Sequence, residues 1–287
     1  RRTSSLCLSS PWQGKQYRGK KTTANLFRAA SNEAVSSENK PGQLLDVLGN
    51  SDAAKAARAI QEKVRHGHQD NTTSTPDATV ARHKEKIFAC VRQHFGRSEE
   101  QYRHSLAEAP LRLVGEEEAA GKSNAFFVFT EDGRYCLKSV AASEARMLLQ
   151  VIAEYEEYVS VNKDTLLPKF FGLYEVRLVT SKKPLWMMVQ GNVLGGRSGV
   201  IQRFDLKGST HGRSASAKER AKGRSSVLKD LDFVNEGCSM RGVNAAAEQQ
   251  WERWVCIMQA DARWLGSQNL LDYSLLLGFS HCPRDKL

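Results

Sequence analysis

The segment Phe126-Phe-Val-Phe-Thr-Glu-Asp-Gly-Arg-Tyr-Cys-Leu-Lys-Ser-Val140 constrains the fold more than any other. Two β-rich runs flank Asp132-Gly133, a pair that accepts the positive φ angles of a two-residue hairpin turn. Directly after it, Met147, Leu148, Val151, Ile152, Tyr155 and Tyr158 line one face of a helix predicted from about Ser143 to Val159, with Glu144 near its first turn. Extended runs resume at Leu167 to Val179 and Leu185 to Val193, separated by the turn Ser181-Lys-Lys-Pro184, and Val200 to Leu206 adds a short strand.

Upstream, Ile87, Phe88, Val91 and Phe95 keep helical spacing, and a second, polar helix is predicted at Ser98 to Ala109. Downstream, residues 207–228 read as a long Lys/Arg/Ser/Gly loop. A helix follows at about Ala245 to Leu265, carried by Trp251, Trp254, Val255, Met258, Ala262 and Leu265, and after it an apolar segment, Asn269 to Phe279. This order is α+β: an antiparallel sheet lobe with an embedded helix, then a partial helical or mixed lobe. Residues 1–79 are predicted to form a disordered, basic, Ser-rich arm in which a short helix around Asp52 to His66 fits the pattern, and residues 80–287 the folded domain. The acid-poor, Arg- and Ser-rich start also has the composition of an organelle transit peptide.

Positive charge is concentrated. Of a net +10, residues 181–230 carry +8, from 11 basic and 3 acidic side chains. Such a patch suits an anionic partner or is a solvated face. The longest weakly charged apolar stretch, Pro184 to Gly196, falls short of the ~20 residues that a membrane-spanning helix needs. Six scattered cysteines without a C-x-x-C pattern disfavour a zinc site or a disulfide framework and fit a reducing compartment. No aromatic-interleaved motif supports a nucleic-acid partner.

Several local patterns fail on inspection. Gly115 and Gly121-Lys122-Ser123 are separated by five residues where a phosphate-binding P-loop needs four, and Glu116, Glu117 and Glu118 would repel a phosphate. The better reading is a small, flexible lip before the hairpin that can lie over a nucleotide. Gly195-Gly196-x-x-Gly199 reads as a loop, and His66-Gly-His68 lacks carboxylates or cysteines for a metal. Lys138 is sharper. It stands alone in the second hairpin strand, where a lysine either snorkels out or meets an anion, and Glu144 follows six residues later. A strand lysine, a helix glutamate and an upstream small-residue loop are the parts that position phosphates in kinase-like enzymes.

Four further motifs give this arrangement a family. Leu166-Leu-Pro-Lys-Phe-Phe-Gly-Leu-Tyr-Glu-Val176, Arg203-Phe-Asp-Leu-Lys-Gly-Ser-Thr210, Lys229-Asp-Leu-Asp-Phe233 and Leu271-Asp-Tyr-Ser-Leu-Leu-Leu-Gly278 occur in that order. From about Phe88 onward the chain resembles the phosphatidylinositol phosphate kinases, with a lean toward the 4-phosphate 5-kinases, and D-L-K-G-S-T with D-Y-S-L-L-x-G are its most specific motifs.

The resemblance implies a two-lobed kinase-like fold that clamps ATP and passes a phosphoryl group to a membrane phosphoinositide. It implies Gly121 and Ser123 in the lip, Lys138 on the ATP phosphates, Glu144 as its helix partner and Met188, Val189 and Asn192 along the adenine strand. Lys207 is implied as a phosphate-facing lysine and Asp272 as the catalytic aspartate. ATP and Mg²⁺ are the implied cofactors. Lys207, Arg213, Lys218, Arg220, Lys222 and Arg224 become the expected contact with an anionic membrane, with the enzyme peripheral at the cytoplasmic face. Gln190 stands where the family commonly has methionine, and the lip has less glycine and serine than usual. The family continues with an I-I-D segment that holds Mg²⁺ and an activation loop that selects the lipid. The chain ends at Leu287 before either, so the sequence predicts a catalytic domain incomplete at its C-terminus and inactive alone. Lys229-Asp-Leu-Asp-Phe233 resembles the 4-phosphate 5-kinases and Phe233-Val-Asn-Glu-Gly237 the 5-phosphate 4-kinases. A non-catalytic phosphoinositide-binding module is the competing reading.

Overall fold

A computed structural model describes residues 51–66, 72–114, 125–194, 200–240 and 245–280. The predicted lip with Gly121 and Ser123, the Gly195 cluster, His68 and the arm over residues 1–50 lie outside the described residues.

The hairpin forms where its sequence demands. Strands β4 (Phe127–Thr130) and β5 (Tyr135–Val140) pair antiparallel, Phe127 opposite Lys138 and Phe129 opposite Cys136. The loop between them is four residues long, not two. Asp132 explains the extra length: its carboxylate accepts from the Thr130 hydroxyl at 2.6 Å, the Arg134 amide at 3.0 Å and the Ser105 hydroxyl at 2.5 Å, and Gly133 takes the left-handed φ of +65°. An aspartate that bonds its own turn outcompetes the tighter two-residue closure.

Around this hairpin a seven-stranded antiparallel sheet grows in the order β1-β2-β6-β7-β5-β4-β3. The other strands are β1 (Thr72–Ser74), β2 (Ala78–Arg82), β3 (Leu111–Val114), β6 (Phe170–Leu178) and β7 (Leu185–Gly191). Helix α4 (Ala142–Val161) follows β5 and packs Leu148, Val151, Ile152, Tyr155 and Val159 inward against α2 (Glu85–His94) and β7. The second predicted helix is split. Ser98 caps α3 (Glu99–Arg103) in a reciprocal box with Gln101, and His104–Glu108 continues as one π-helical turn.

The folded domain reaches further back than the predicted boundary at residue 80. Helix α1 (Asp52–Arg65) buries Ala53, Ala56, Ala57, Ile60 and Val64 against the sheet, and β1 and β2 extend that sheet. Polar ends lock it in place: Gln61 donates to the Ala109 carbonyl at 3.1 Å, Arg65 to the Ala107 carbonyl at 2.7 Å and Lys63 to the Thr73 hydroxyl at 3.0 Å. Composition averaged over residues 1–79 masks the place of this helix in the folded domain, because its buried face is mostly alanine.

The second part holds helices and a small sheet in the order β10-β8-β9. Here β8 (Val200–Leu206) pairs antiparallel with β10 (Leu275–Ser280) and parallel with β9 (Val227–Leu228). Between β8 and β10 lie α5 (Ala217–Arg220), α6 (Asp230–Asn235) and α7 (Ala245–Ser267). The loop predicted over 207–228 is thus partly ordered, and the apolar segment after α7 is a strand. Buried Asp261 on α7 accepts from the Tyr158 hydroxyl at 2.7 Å, the Thr165 hydroxyl at 2.6 Å and the Leu166 amide at 2.8 Å. Trp264 stacks on Tyr158, and Leu265 and Leu270 enter the main core, so α7 packs on the part built around the large sheet. Among the described residues no helix is long and apolar enough to cross a membrane.

Candidate active site

Two clusters carry the residues that the sequence singles out. The first lies on β5. Cross-strand register sets Phe127, Lys138, Met188 and Leu173 in one row across four strands, and Phe129, Cys136 and Gln190 in the next row on the same face. Lys138 is 5% exposed and its Nζ lies 6.0 Å from the Phe127 ring centroid. Phe127, Phe129 and Cys136 form an apolar patch separate from the main core, and burial pushes the Cys136 thiol far above its ordinary range, so it stays neutral. Glu144 is buried in the first turn of α4, where its Oε2 accepts from the Ala141 amide at 2.8 Å and closes the N-terminus. Met188 and Val189 are fully buried in β7, and Asn192 just beyond it donates its amide to the Arg134 carbonyl at 2.9 Å.

The second cluster sits at one end of the small sheet. Pairing of Leu206 with Leu275 brings Lys207, just past β8, to Asp272, just before β10, and the two side chains form an ion pair across 65 residues of sequence. Asp272 has φ +61°, a left-handed conformation that non-glycine residues adopt at a cost and that recurs at functional sites. Its side chain is about half exposed. The closing glycine of D-Y-S-L-L-L-G is equally constrained: a Cβ on Gly278 would meet Leu194 Cδ2 at 2.7 Å.

What the sequence missed is the support of Lys207. Asp230 accepts the amides of Lys207 at 2.9 Å and Gly208 at 2.8 Å on one oxygen and Arg213 Nε at 2.7 Å on the other. Gly208 takes φ +67°, so the turn needs both the glycine and the carboxylate. Asp232 accepts the amides of Ala215 at 2.8 Å and Lys229 at 2.9 Å and pairs with Arg220. An acid three residues after the start of a helix is a capping signal, which exposes the role of Asp232 in Lys229-Asp-Leu-Asp-Phe233. The 22-residue reach of Asp230 to Gly208 has no local signature.

This network corrects part of the expected membrane face. Arg213 is 9% exposed: it donates to Asp230 and to the Asp205 carbonyl and lies 3.4 Å from the Asp205 carboxylate. Burial alone would lower its pKa, but the bond to Asp230 and the two negative charges outweigh it and raise the value. It is an internal strut, not a lipid contact. Arg220 pairs with Asp232 and Lys222 with Glu219 at 3.0 Å, while Lys218 and Arg224 are exposed.

Comparison with known proteins follows the same lines. A family model described as phosphatidylinositol-4-phosphate 5-kinase matches residues 110–287. Phosphatidylinositol 5-phosphate 4-kinase type-2 beta of Rattus norvegicus is 32% identical over 200 residues, covering 69% of this chain and 45% of that protein. Phosphatidylinositol 4-phosphate 5-kinase 3 of Arabidopsis thaliana is 31% identical over 214 residues, covering 73% and 29%. The chain therefore spans less than half the length of these relatives.

Proposed function

The chain belongs to the phosphatidylinositol-4-phosphate 5-kinase family, and from that premise we propose that the protein transfers the γ-phosphate of ATP to the inositol ring of a phosphatidylinositol phosphate. The acceptor in this reading is phosphatidylinositol 4-phosphate and the product the 4,5-bisphosphate. The observation that carries it is the Lys207–Asp272 ion pair, which unites the D-L-K-G-S lysine with the D-Y-S aspartate.

Phosphoryl transfer spreads negative charge over oxygens and asks little covalent chemistry of the protein. Lys138, held on a rigid interior strand, neutralises the nucleotide phosphates. Lys207, fixed by Asp230, meets the charge that develops on the transferring group. Asp272, half exposed beside it, orients the inositol hydroxyl and accepts its proton. Mg²⁺ accompanies ATP in such chemistry, but among the described residues no group of three or more His, Cys, Asp or Glu is placed to hold a metal. No step here is routed through it. Lys218 and Arg224 remain available to an anionic leaflet, each contributing about 1 kcal/mol near the surface. In this reading the enzyme works at the cytoplasmic face of a membrane.

The test uses the full-length protein that contains this chain, labelled ATP and vesicles carrying either phosphatidylinositol 4-phosphate or the 5-phosphate. Turnover of the 4-phosphate is expected, lost by roughly 10²–10³-fold in Lys138→Met and in Asp272→Asn. Unchanged turnover in both variants would refute these roles. Preference for the 5-phosphate vesicles would reassign the acceptor, and vesicle binding without turnover would favour the non-catalytic reading.

A further inference from the structure

We propose that Arg97 and Lys169, together with the Tyr135 hydroxyl, form a binding site for a small dianionic oxyanion, inorganic phosphate or the phosphate monoester of a soluble molecule, on the face of the large sheet opposite Lys138. The geometry begins at Gly191. Its amide donates to the Lys169 carbonyl at 2.8 Å, and it lies opposite Tyr135 across β5 and β7. A Cβ on Gly191 would stand 3.4 Å from Lys169 Cβ and 3.3 Å from Phe171 Cε2. Cross-strand partners share a face, so Tyr135, Lys169 and Phe171 converge on one side of the sheet. Lys138, three residues beyond Tyr135 on β5, points to the other. Rings link the groups: Tyr135 packs edge-on against Phe171 with centroids 5.5 Å apart, Phe95 does so at 6.2 Å, and the Lys169 Nζ lies 4.5 Å from the Phe95 centroid. Arg97 enters from the end of α2, where Gly96 at φ +65° turns the chain two residues after Phe95.

Charge and desolvation select the ligand. Arg97 and Lys169 are both half-buried, yet neither forms an ion pair among the described residues. Asp164, the acid whose charge reaches Lys169, is engaged by Arg253. Burial lowers the Lys169 pKa and the Arg97 charge lowers it further, while burial raises that of Tyr135 against the same charge. The Arg97 guanidinium thus acts on both groups, and two like charges held together without a counterion favour an anion. Tyr135 is 0% exposed and its hydroxyl has no hydrogen-bond partner, a buried donor that the chain leaves unused. A tetrahedral oxyanion meets all three groups: its oxygens accept from guanidinium, ammonium and phenol, and its two charges match two cations. Half-buried cations suit a small soluble anion over a membrane surface. Because the Lys169 carbonyl holds Gly191, an anion drawn to Lys169 also fixes the end of β7, where the chain leaves the large sheet.

Calorimetry and melting curves of the full-length protein that contains this chain test the proposal, with inorganic phosphate added at an ionic strength held constant by chloride. Saturable binding and a rising melting temperature are expected in the unsubstituted protein and equally in Lys138→Met, whose changed side chain lies on the other face. Arg97→Gln and Lys169→Gln should each weaken the phosphate affinity about tenfold or more, and Tyr135→Phe about threefold or more. Without phosphate, Tyr135→Phe should not lower the melting temperature, since the hydroxyl it removes is unpaired. Glycerol phosphate separates the two sources: competition with inorganic phosphate assigns the site to a monoester, and its absence to the free ion. A phosphate affinity that Lys169→Gln and Tyr135→Phe leave unchanged would overturn the proposal. So would the absence of saturable binding, and so would binding lost in Lys138→Met, which would place the anion on the nucleotide side. None of these outcomes alters the turnover expected under the proposed function, so the two readings fail separately.

Discussion

In the seven-stranded sheet, Leu137, Leu173 and Val189 vanish into a core shared with α1, α2 and α4, whereas the three-stranded sheet buries little beyond Phe204, Ala215 and Leu228. The smaller sheet is held by carboxylates instead. Asp230 and Asp232 between them accept four backbone amides and engage two arginines, and Asp205 engages Arg213. The contrast suits the two tasks. In the proposed roles, a lysine that seats phosphates needs a stiff apolar strand to stand on, and a loop that meets the transferring group is better fixed by hydrogen bonds that dictate its backbone.

The comparison breaks most readily at Asp230. Asp230→Ala removes the acceptor for two amides and takes from the buried Arg213 guanidinium the nearer of its two carboxylates, an effect of about 3–5 kcal/mol. Hydrogen exchange should show residues 203–215 losing protection while the large sheet keeps its own; uniform loss would mean that the two sheets are one cooperative unit. Leu137→Ala, in the large sheet, opens a cavity and should cost about 2–5 kcal/mol. Its effect on the melting temperature should not depend on salt, whereas that of Asp230→Ala should.

These two sites also mark what the sequence made legible. Leu137 lies in a hairpin whose alternation and turn residues declare it, and α4, β6 and β7 are readable for the same reason: their apolar period is local. The two-residue strand β9 and the clasp of Asp230 on Lys207 depend on contacts between distant segments and leave no periodic trace. Helix α1 was legible as a short helix at Asp52 to His66, but its packing onto the sheet was not, since its buried face is mostly alanine inside a polar stretch. Among site residues, Lys138, Lys207 and Asp272 were visible as residue types in motifs, but which cations of the basic stretch are free was not. Arg213 looks like Lys218 in sequence and differs only in what folds over it.

A smaller effect sharpens the account of the hairpin. Burial pushes the Asp132 carboxyl up, but the bonds from Ser105, Thr130 and the Arg134 amide outweigh it and hold its pKa below the usual range. Asp132→Asn should therefore cost about 1 kcal/mol at neutral pH. A lowered folded pKa contributes stability that is present above the unfolded value near about 3.9 and lost as pH falls through the folded one. The gap between the two proteins in urea titrations should narrow below about pH 4; a gap constant down to pH 2 would contradict the assignment.

The central claim is that Lys138 on one sheet and Lys207 on the other attend a single triphosphate. ATP affinity measured by calorimetry for Lys138→Met, Lys207→Met and the double variant tests it most directly. The account predicts that each single change weakens ATP binding by about tenfold or more and that the double variant falls short of the product of the two, because both cations touch the same phosphates. An ATP affinity that Lys207→Met leaves unchanged would contradict it.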